Sequence, residues 1–137
     1  IMKTLFSALL LTFMLIACQK EAIIVPDGNT DLIGSWIKPQ YVDSVITYER
    51  AENLLENSYG FTFKPGNKLI ARQNSGWCGT PPISTTDYEG SWIQNGSEVK
   101  ITMGYWGGTS IQTWKIVSLD QQKLVIYISS SKYQQGK

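Results

Sequence analysis

From Leu32 onward the chain breaks into short runs rich in β-branched and aromatic residues, and turn-forming residues interrupt these runs every eight to twelve positions. This punctuation constrains the fold more than any other feature, because runs of this length and composition suit strands and leave no room for long helices. The expected strands are Ile33 to Val42, Val45 to Arg50, Tyr59 to Lys64, Lys68 to Asn74, Thr85 to Gln94, Glu98 to Tyr105, Ser110 to Leu119 and Lys123 to Ser129. Pro65-Gly66-Asn67 and Asn95-Gly96 carry residues that supply the fixed or positive φ of tight hairpin turns, and Gly107-Gly108 and Asp120 to Gln122 serve similarly. Glu49 to Asn57 could instead form a short helical turn around Leu54 and Leu55.

Alternation assigns the faces. Tyr59, Phe61 and Phe63 share one side, as do Val99, Ile101 and Met103, and as do Tyr88 and Trp92 around Gly90. The last two strands are apolar on both faces, which implies a bulge or outer packing. Eight hairpin-linked strands in an open sheet would leave two edges prone to aggregation, and closure removes both. The expected fold class is therefore all-β, an eight-stranded up-and-down antiparallel barrel.

The first strand opens with Gly34-Ser35-Trp36, which resembles the Gly-x-Trp of the lipocalins, where the tryptophan packs across the closed end of the barrel. Thr86-Asp87-Tyr88 matches the letters of the lipocalin loop triplet, one hairpin earlier than the family places it. The resemblance covers roughly Asp31 to Ser129. It implies structural roles for Gly34 and Trp36 and a barrel that holds a small apolar or aromatic ligand.

Upstream, an apolar run from Leu5 to Ile16 follows Lys3 and precedes the polar Gln19, Lys20 and Glu21. It is shorter than the ~20 residues a membrane-crossing helix needs, and reads as a cleaved signal peptide over residues 1–17. Leu15-Ile-Ala-Cys18 resembles the lipobox of bacterial lipoproteins, in which the cysteine is lipidated and becomes the first residue. Several acyl chains on one cysteine hold a protein to a bilayer essentially permanently. The expected arrangement is a signal peptide at 1–17, a lipid-anchored tether at 18–30 and a lipocalin-like barrel at 31–133. The whole resembles a small lipocalin-like lipoprotein of Gram-negative envelopes, held in the outer membrane and facing either the periplasm or the cell surface.

Charge excludes one class of partner. The formal +1 becomes zero once Lys3 leaves with the signal peptide, and the remaining Lys and Arg are scattered singly, so there is no footprint for nucleic acid. The chain contains no histidine, which closes Ser-His and Cys-His catalysis and histidine metal sites. The reading is a non-enzyme with no cofactor and no metal.

Three clusters remain. Trp77-Cys78-Gly79-Thr80-Pro81-Pro82 sits in a long connection, Ser75 to Ser84. It shares Trp-Cys-Gly with the thioredoxin active site but lacks the resolving cysteine and the βαβ context. The expectation is an ordered plug, with Trp77 and Cys78 packed over one barrel end. Asp87 and Glu89 lie on one face of a strand, opposite Tyr88 and Trp92, and so belong to a solvated outer face rather than to a carboxylate pair. Arg72 could reach a ligand or solvent. The ligand-binding or lid candidates are thus Trp77, Cys78, Arg72, Tyr88, Trp92 and Trp114. Two functions stay open: a barrel holding a small apolar ligand, and a solid barrel whose loops grip another envelope protein. Side-chain volume decides between them, since eight strands enclose a space that side chains can just fill.

Overall fold

The computed structural model describes residues 32–78 and 80–136. The expected signal peptide, Cys18, the expected tether, Asp31, Gly79 and Lys137 lie outside the described residues. The described chain is all-β, with no helix, and runs β1 Gly34–Val42, β2 Val45–Ala51, β3 Gly60–Lys64, β4 Lys68–Asn74, β5 Thr85–Asn95, β6 Glu98–Tyr105, β7 Gly108–Leu119 and β8 Lys123–Gln135. These close into one eight-stranded barrel in which every neighbouring pair is antiparallel, as the sequence predicts.

The ring order contains one exchange. From β3 to β8 each strand pairs with its successor, but β1 pairs with β3 and β2 pairs with β8. A strictly sequential ring would join β2 to β3. Residues 52–59 must therefore cross the outside of β1, and this requirement removes the helical turn that Leu54 and Leu55 suggested. Asn57 turns the crossing chain at φ 50°. Gly60 makes the crossing close: a Cβ there would lie 2.7 Å from the Trp36 carbonyl oxygen and 2.9 Å from Leu54 Cδ2. Ile37, buried although it points away from the interior cluster, sits under the same contact.

Hairpin chemistry follows the sequence. Gly66 and Asn67 take φ of 76° and 62°, and Gly96 takes 61°. Asp120 Oδ1 accepts the backbone N–H groups of Gln122 and Lys123, both at 2.7 Å, which closes the β7–β8 turn. The doubly apolar final strands resolve as bulges in the β7–β8 ladder, at Thr113/Trp114 and at Ile116/Ser118. The second of these lets Leu119 pack on the core while Val117 stays exposed.

The lower half of the barrel is solid. Trp36, Phe63, Trp92 and Trp114 are fully enclosed with Leu69, Ile101, Leu124 and Ile126. Phe61 and Trp114 meet edge-on at 4.9 Å, Phe63 and Trp92 at 5.4 Å, and Tyr48 stacks on Trp114 at 6.0 Å. The bottom is sealed by Leu32, whose carbonyl accepts the Trp36 Nε1 hydrogen at 2.8 Å. Arg50 covers the Trp36 ring at 4.2 Å and donates to the Ile33 carbonyl. Gly34, at φ 135°, leaves room for that guanidinium, whose Nη1 would lie 2.7 Å from a Cβ.

Candidate functional site

At the opposite end the barrel is open. Up-and-down strand direction brings the ends of β1, β4, β6 and β8 and the start of β3 to one rim, and there Tyr41, Tyr59, Gln73, Asn74, Tyr105, Trp106 and Tyr133 line a cup of about 360 Å³. This lies near the lower bound of small-molecule sites, roughly 300–1,000 Å³. The cup is a mixture of aromatic faces and neutral hydrogen-bonding groups.

Two bulges put two of these rings inside. In β1 the register slips between Ile37 and Gln40, where Lys38 adopts φ 52° before Pro39. Trp36 faces inward below the slip and, after it, Tyr41 pairs with the inward Ile46. In β8, Ser130 pairs with Thr113 while Ile128 pairs with Trp114, leaving Ser129 extra. Simple alternation from Ile128 would turn Ser130 and Lys132 inward; the bulge turns Ser131 and Tyr133 inward instead, with Tyr133 opposite the buried Ser110.

The rim rings brace one another. Tyr105 stands edge-to-face against Trp106 at 5.7 Å and against Tyr133 at 5.4 Å. Gly107 permits this pose, since a Cβ there would lie 2.6 Å from the Tyr105 ring. Gly108, at φ 146°, lies so close to β8 that a Cβ would fall 2.1 Å from the Gln134 carbonyl oxygen, and Gly136 N–H donates to the Gly107 carbonyl at 2.9 Å. Glycine at these positions ties the end of β8, and with it Tyr133, to the rim.

The polar groups are oriented. Tyr59 donates its hydroxyl hydrogen to Asn74 Oδ1 at 2.7 Å, and Tyr88 donates to the Asn74 backbone carbonyl at 3.0 Å. Asn74 Nδ2 is left as a donor. Gln73 Nε2 spends one hydrogen on Met103 Sδ at 3.2 Å, which leaves Gln73 Oε1 as an acceptor. Ser110 Oγ is buried beside Met103 and Tyr133 and has no hydrogen-bond partner among the described residues. Partial burial, and then the nearby Tyr59, raise the Tyr41 phenol above its usual pKa, and burial raises Tyr48 below it. Tyr41 and Tyr48 therefore stay protonated near neutral pH, and among the described residues no Asp, Glu, Lys or Arg lines the cup.

The candidates read from sequence are dispersed. Trp92 and Trp114 belong to the packed core: Trp92 Nε1 donates to the Lys64 and Lys68 carbonyls, and Trp114 Nε1 to Gln112 Oε1. Tyr88 is half-buried and braces Asn74 without lining the cup. Arg72 faces outward, gripping Asp87 through two hydrogen bonds of 2.6 and 2.9 Å and the Leu55 carbonyl at 3.0 Å. The Thr86-Asp87-Tyr88 triplet thus lies inside β5 and not in a loop. That hydrogen bond holds the Asp87 carboxyl below its ordinary pKa and pushes the Arg72 guanidinium up.

The plug is corrected. Ser75 N–H and Oγ both bond the Ser84 carbonyl, at 2.9 and 3.1 Å, so the loop is pinched at its neck and its tip projects into solvent. Trp77 is 80 % exposed, and Cys78 is a free, exposed thiol bonded to Thr80 Oγ1 at 2.9 Å. Those bonds to Thr80 lower the Cys78 pKa.

Sequence reading missed Tyr41, Gln73, Asn74, Tyr105, Trp106 and Tyr133, and placed Tyr59 only on an inward core face. A signal was present for most of them: with strands alternating in direction, Tyr41, Gln73-Asn74 and Tyr105-Trp106 all fall at strand ends that meet at one rim. Tyr133 lay beyond the expected final strand, because Ser129-Ser130-Ser131-Lys132 lacks strand composition. No protein-family model matches the chain, and comparisons with curated proteins and with solved structures return no match.

Proposed function

We propose that this is a cell-envelope lipoprotein whose lipocalin-like barrel binds a small ring-bearing ligand in the aromatic cup, and that it is not an enzyme. The observation that carries the reading is the cup itself: five aromatic side chains and two amides around about 360 Å³, above a core with no room for a ligand. Pre-set rings lose little freedom on binding, which favours recognition. The lipid anchor rests on the lipobox at Leu15 to Cys18. Leu32 seals the closed end, so a tether from Cys18 to Thr30 would meet the barrel there, leaving the cup turned away from an outer-membrane leaflet. Thirteen tether residues reach up to about 45 Å when extended.

The test is tryptophan emission of the purified protein against a library of small indoles, sterols, fatty acids and saccharides. At least one class should saturate, and Trp106→Ala should abolish the response while the melting temperature holds. Silence across all classes would refute the cup as a binding site. For the anchor, mass spectrometry of native protein should find acyl chains on Cys18 and nothing before it, and an unmodified Cys18 would refute it.

A second reading, an interaction module, is favoured by one observation: Tyr41, Val42, Trp77, Ile83, Trp106 and Tyr133 are all exposed at the open end. Apolar residues gathered at one end of a domain mark contact surfaces. Co-purification of an envelope protein that is lost on Trp77→Ala and retained on Trp106→Ala would favour this reading.

A further inference from the structure

The chemistry of the cup selects among ring-bearing ligands, an inference that rests on the cup being the binding site. We propose that its ligand is a neutral saccharide ring.

Charge argues first. A carboxylate or phosphate seated there would lose water with no Lys or Arg beside it, and burying an uncompensated charge is strongly unfavourable. With no Asp, Glu, Lys or Arg among its described lining residues, the site is a neutral one. Depth argues second. Directly beneath the cup, Met103, Phe61, Tyr48 and Trp114 fill the bore, so an acyl chain has no channel to enter.

Polarity argues third, and separates a sugar from a flat apolar ring. Gln73 and Asn74 line the cup, and Asn74 Nδ2 and Gln73 Oε1 keep hydrogen-bonding capacity that the described contacts do not use, so an apolar ring laid over them would strip their water without replacement. A pyranose avoids this penalty because it has two kinds of surface. Its axial C–H groups form an apolar face that lies against an aromatic ring, and its equatorial hydroxyls each donate one hydrogen and accept others. One hydroxyl can donate to Gln73 Oε1 while a neighbour accepts from Asn74 Nδ2; the Tyr59 hydroxyl, its hydrogen given to Asn74, can accept, and those of Tyr41, Tyr105 and Tyr133 can do either.

The platform for the C–H face is also present. Trp106 and Tyr133 are 54 % and 64 % exposed, unusual for such large side chains, yet both are held by the edge of Tyr105. Exposed rings held in place, with amides set behind them, suit a ligand that stacks by one face and hydrogen-bonds by its rim.

The experiment is calorimetric and fluorimetric titration of the full-length protein, held in a detergent without a sugar headgroup. The probes are N-acetylglucosamine, chitobiose, cellobiose, maltotriose, laminaribiose and galactobiose, with palmitate and indole as competing classes. A saccharide should saturate, and Trp106→Ala and Gln73→Leu should each weaken it about tenfold or more, equivalent to ~1.4 kcal/mol. Trp77→Ala, outside the cup, should leave affinity unchanged. Should palmitate or indole saturate while every saccharide is silent, the saccharide assignment falls and the cup survives as an apolar site. Silence from all probes removes both. Saccharide binding that is indifferent to Trp106→Ala and Gln73→Leu places the sugar elsewhere and overturns the proposal.

Discussion

Trp36→Ala should be the most damaging single substitution at the closed end. The indole is completely enclosed, and burying an aromatic of this size removes roughly 150–250 Å² from water, about 4–6 kcal/mol at ~25 cal/mol per Å². Measured core truncations of this kind cost about 3–5 kcal/mol. Two further contacts go with the ring: the Nε1 hydrogen bond to the Leu32 carbonyl, about 1 kcal/mol, and the cover of Arg50, about 0.5–1 kcal/mol. These overlap with burial and do not simply add, so the expected loss is about 4–5 kcal/mol. Small domains hold only about 5–15 kcal/mol in total, and one kcal/mol moves the melting point by about 4–8 °C, so a fall of roughly 20 °C or outright unfolding follows. Trp36→Phe separates the contributions. It keeps most of the buried ring and loses the hydrogen bond and part of the cation–π contact, for an expected ~1–2 kcal/mol. Urea unfolding followed by circular dichroism measures both. An alanine variant within about 1 kcal/mol of the parent, or a phenylalanine variant as weak as alanine, would refute the sealing role assigned to this residue.

Three further outcomes follow from the same contacts. Gly90→Ala should prevent folding or unfold the barrel at ambient temperature, because its Cβ would fall 2.3 Å from the Thr102 carbonyl oxygen and 2.9 Å from Met103 Cα, backbone atoms that cannot yield alone; soluble protein with a parental melting curve would contradict this. Asp87→Asn should cost under about 1 kcal/mol, since the Arg72 pair is exposed. The Asp87 pKa is depressed by the Arg72 hydrogen bond, so the pair's contribution is complete above about pH 4 and disappears as pH falls through the folded value; chemical denaturation from pH 7 to 2 should show the parent and Asp87→Asn converging at low pH, and a gap that widens on acidification would overturn the assignment. Cys78 should react with a thiol reagent as fast in the native as in the urea-unfolded protein, because it is exposed and its pKa is lowered by Thr80; protection in the native state would restore the plug.

How much of this was readable in the sequence depended on whether a signal was local. Eight strands, their turns and the inward faces of β3, β5 and β6 follow from period-two alternation and from Gly66, Asn67 and Gly96, which act within a few residues. The exchange of β1 and β2 in the ring has no such signature, since it is settled by which edges meet. Its one local trace is Gly60, small enough to pass under Leu54 and beside the Trp36 carbonyl. Arg50 escaped notice for a related reason: only the β1–β2 register sets it opposite Trp36. The cup was hidden by bulges, because a strict alternation continued through Ser129 turns Tyr133 to solvent, and the extra residue reverses it.

The same bulges explain why one barrel can be both filled and open. Below Lys38-Pro39 and Ser129, unbroken alternation feeds Trp36, Leu124 and Ile126 into a bore already occupied by Phe61, Phe63, Trp92 and Trp114, and packing leaves no space. Above them each strand has shifted phase, and what turns inward is Tyr41, Ser131 and Tyr133, side chains with a polar end that tolerates water. The interior therefore changes character over a single layer, between Trp114, which stacks with Tyr48, and Tyr105, which braces the rim. On the proposed reading, stability and recognition thereby fall to different residues. Trp36, Trp92 and Trp114 hold the barrel together without facing a ligand, whereas Trp106 and Tyr133 are so exposed that removing them should barely alter the melting curve. A chain built this way can vary its rim at little expense to its fold, so the proposed binding could change while the barrel stays the same.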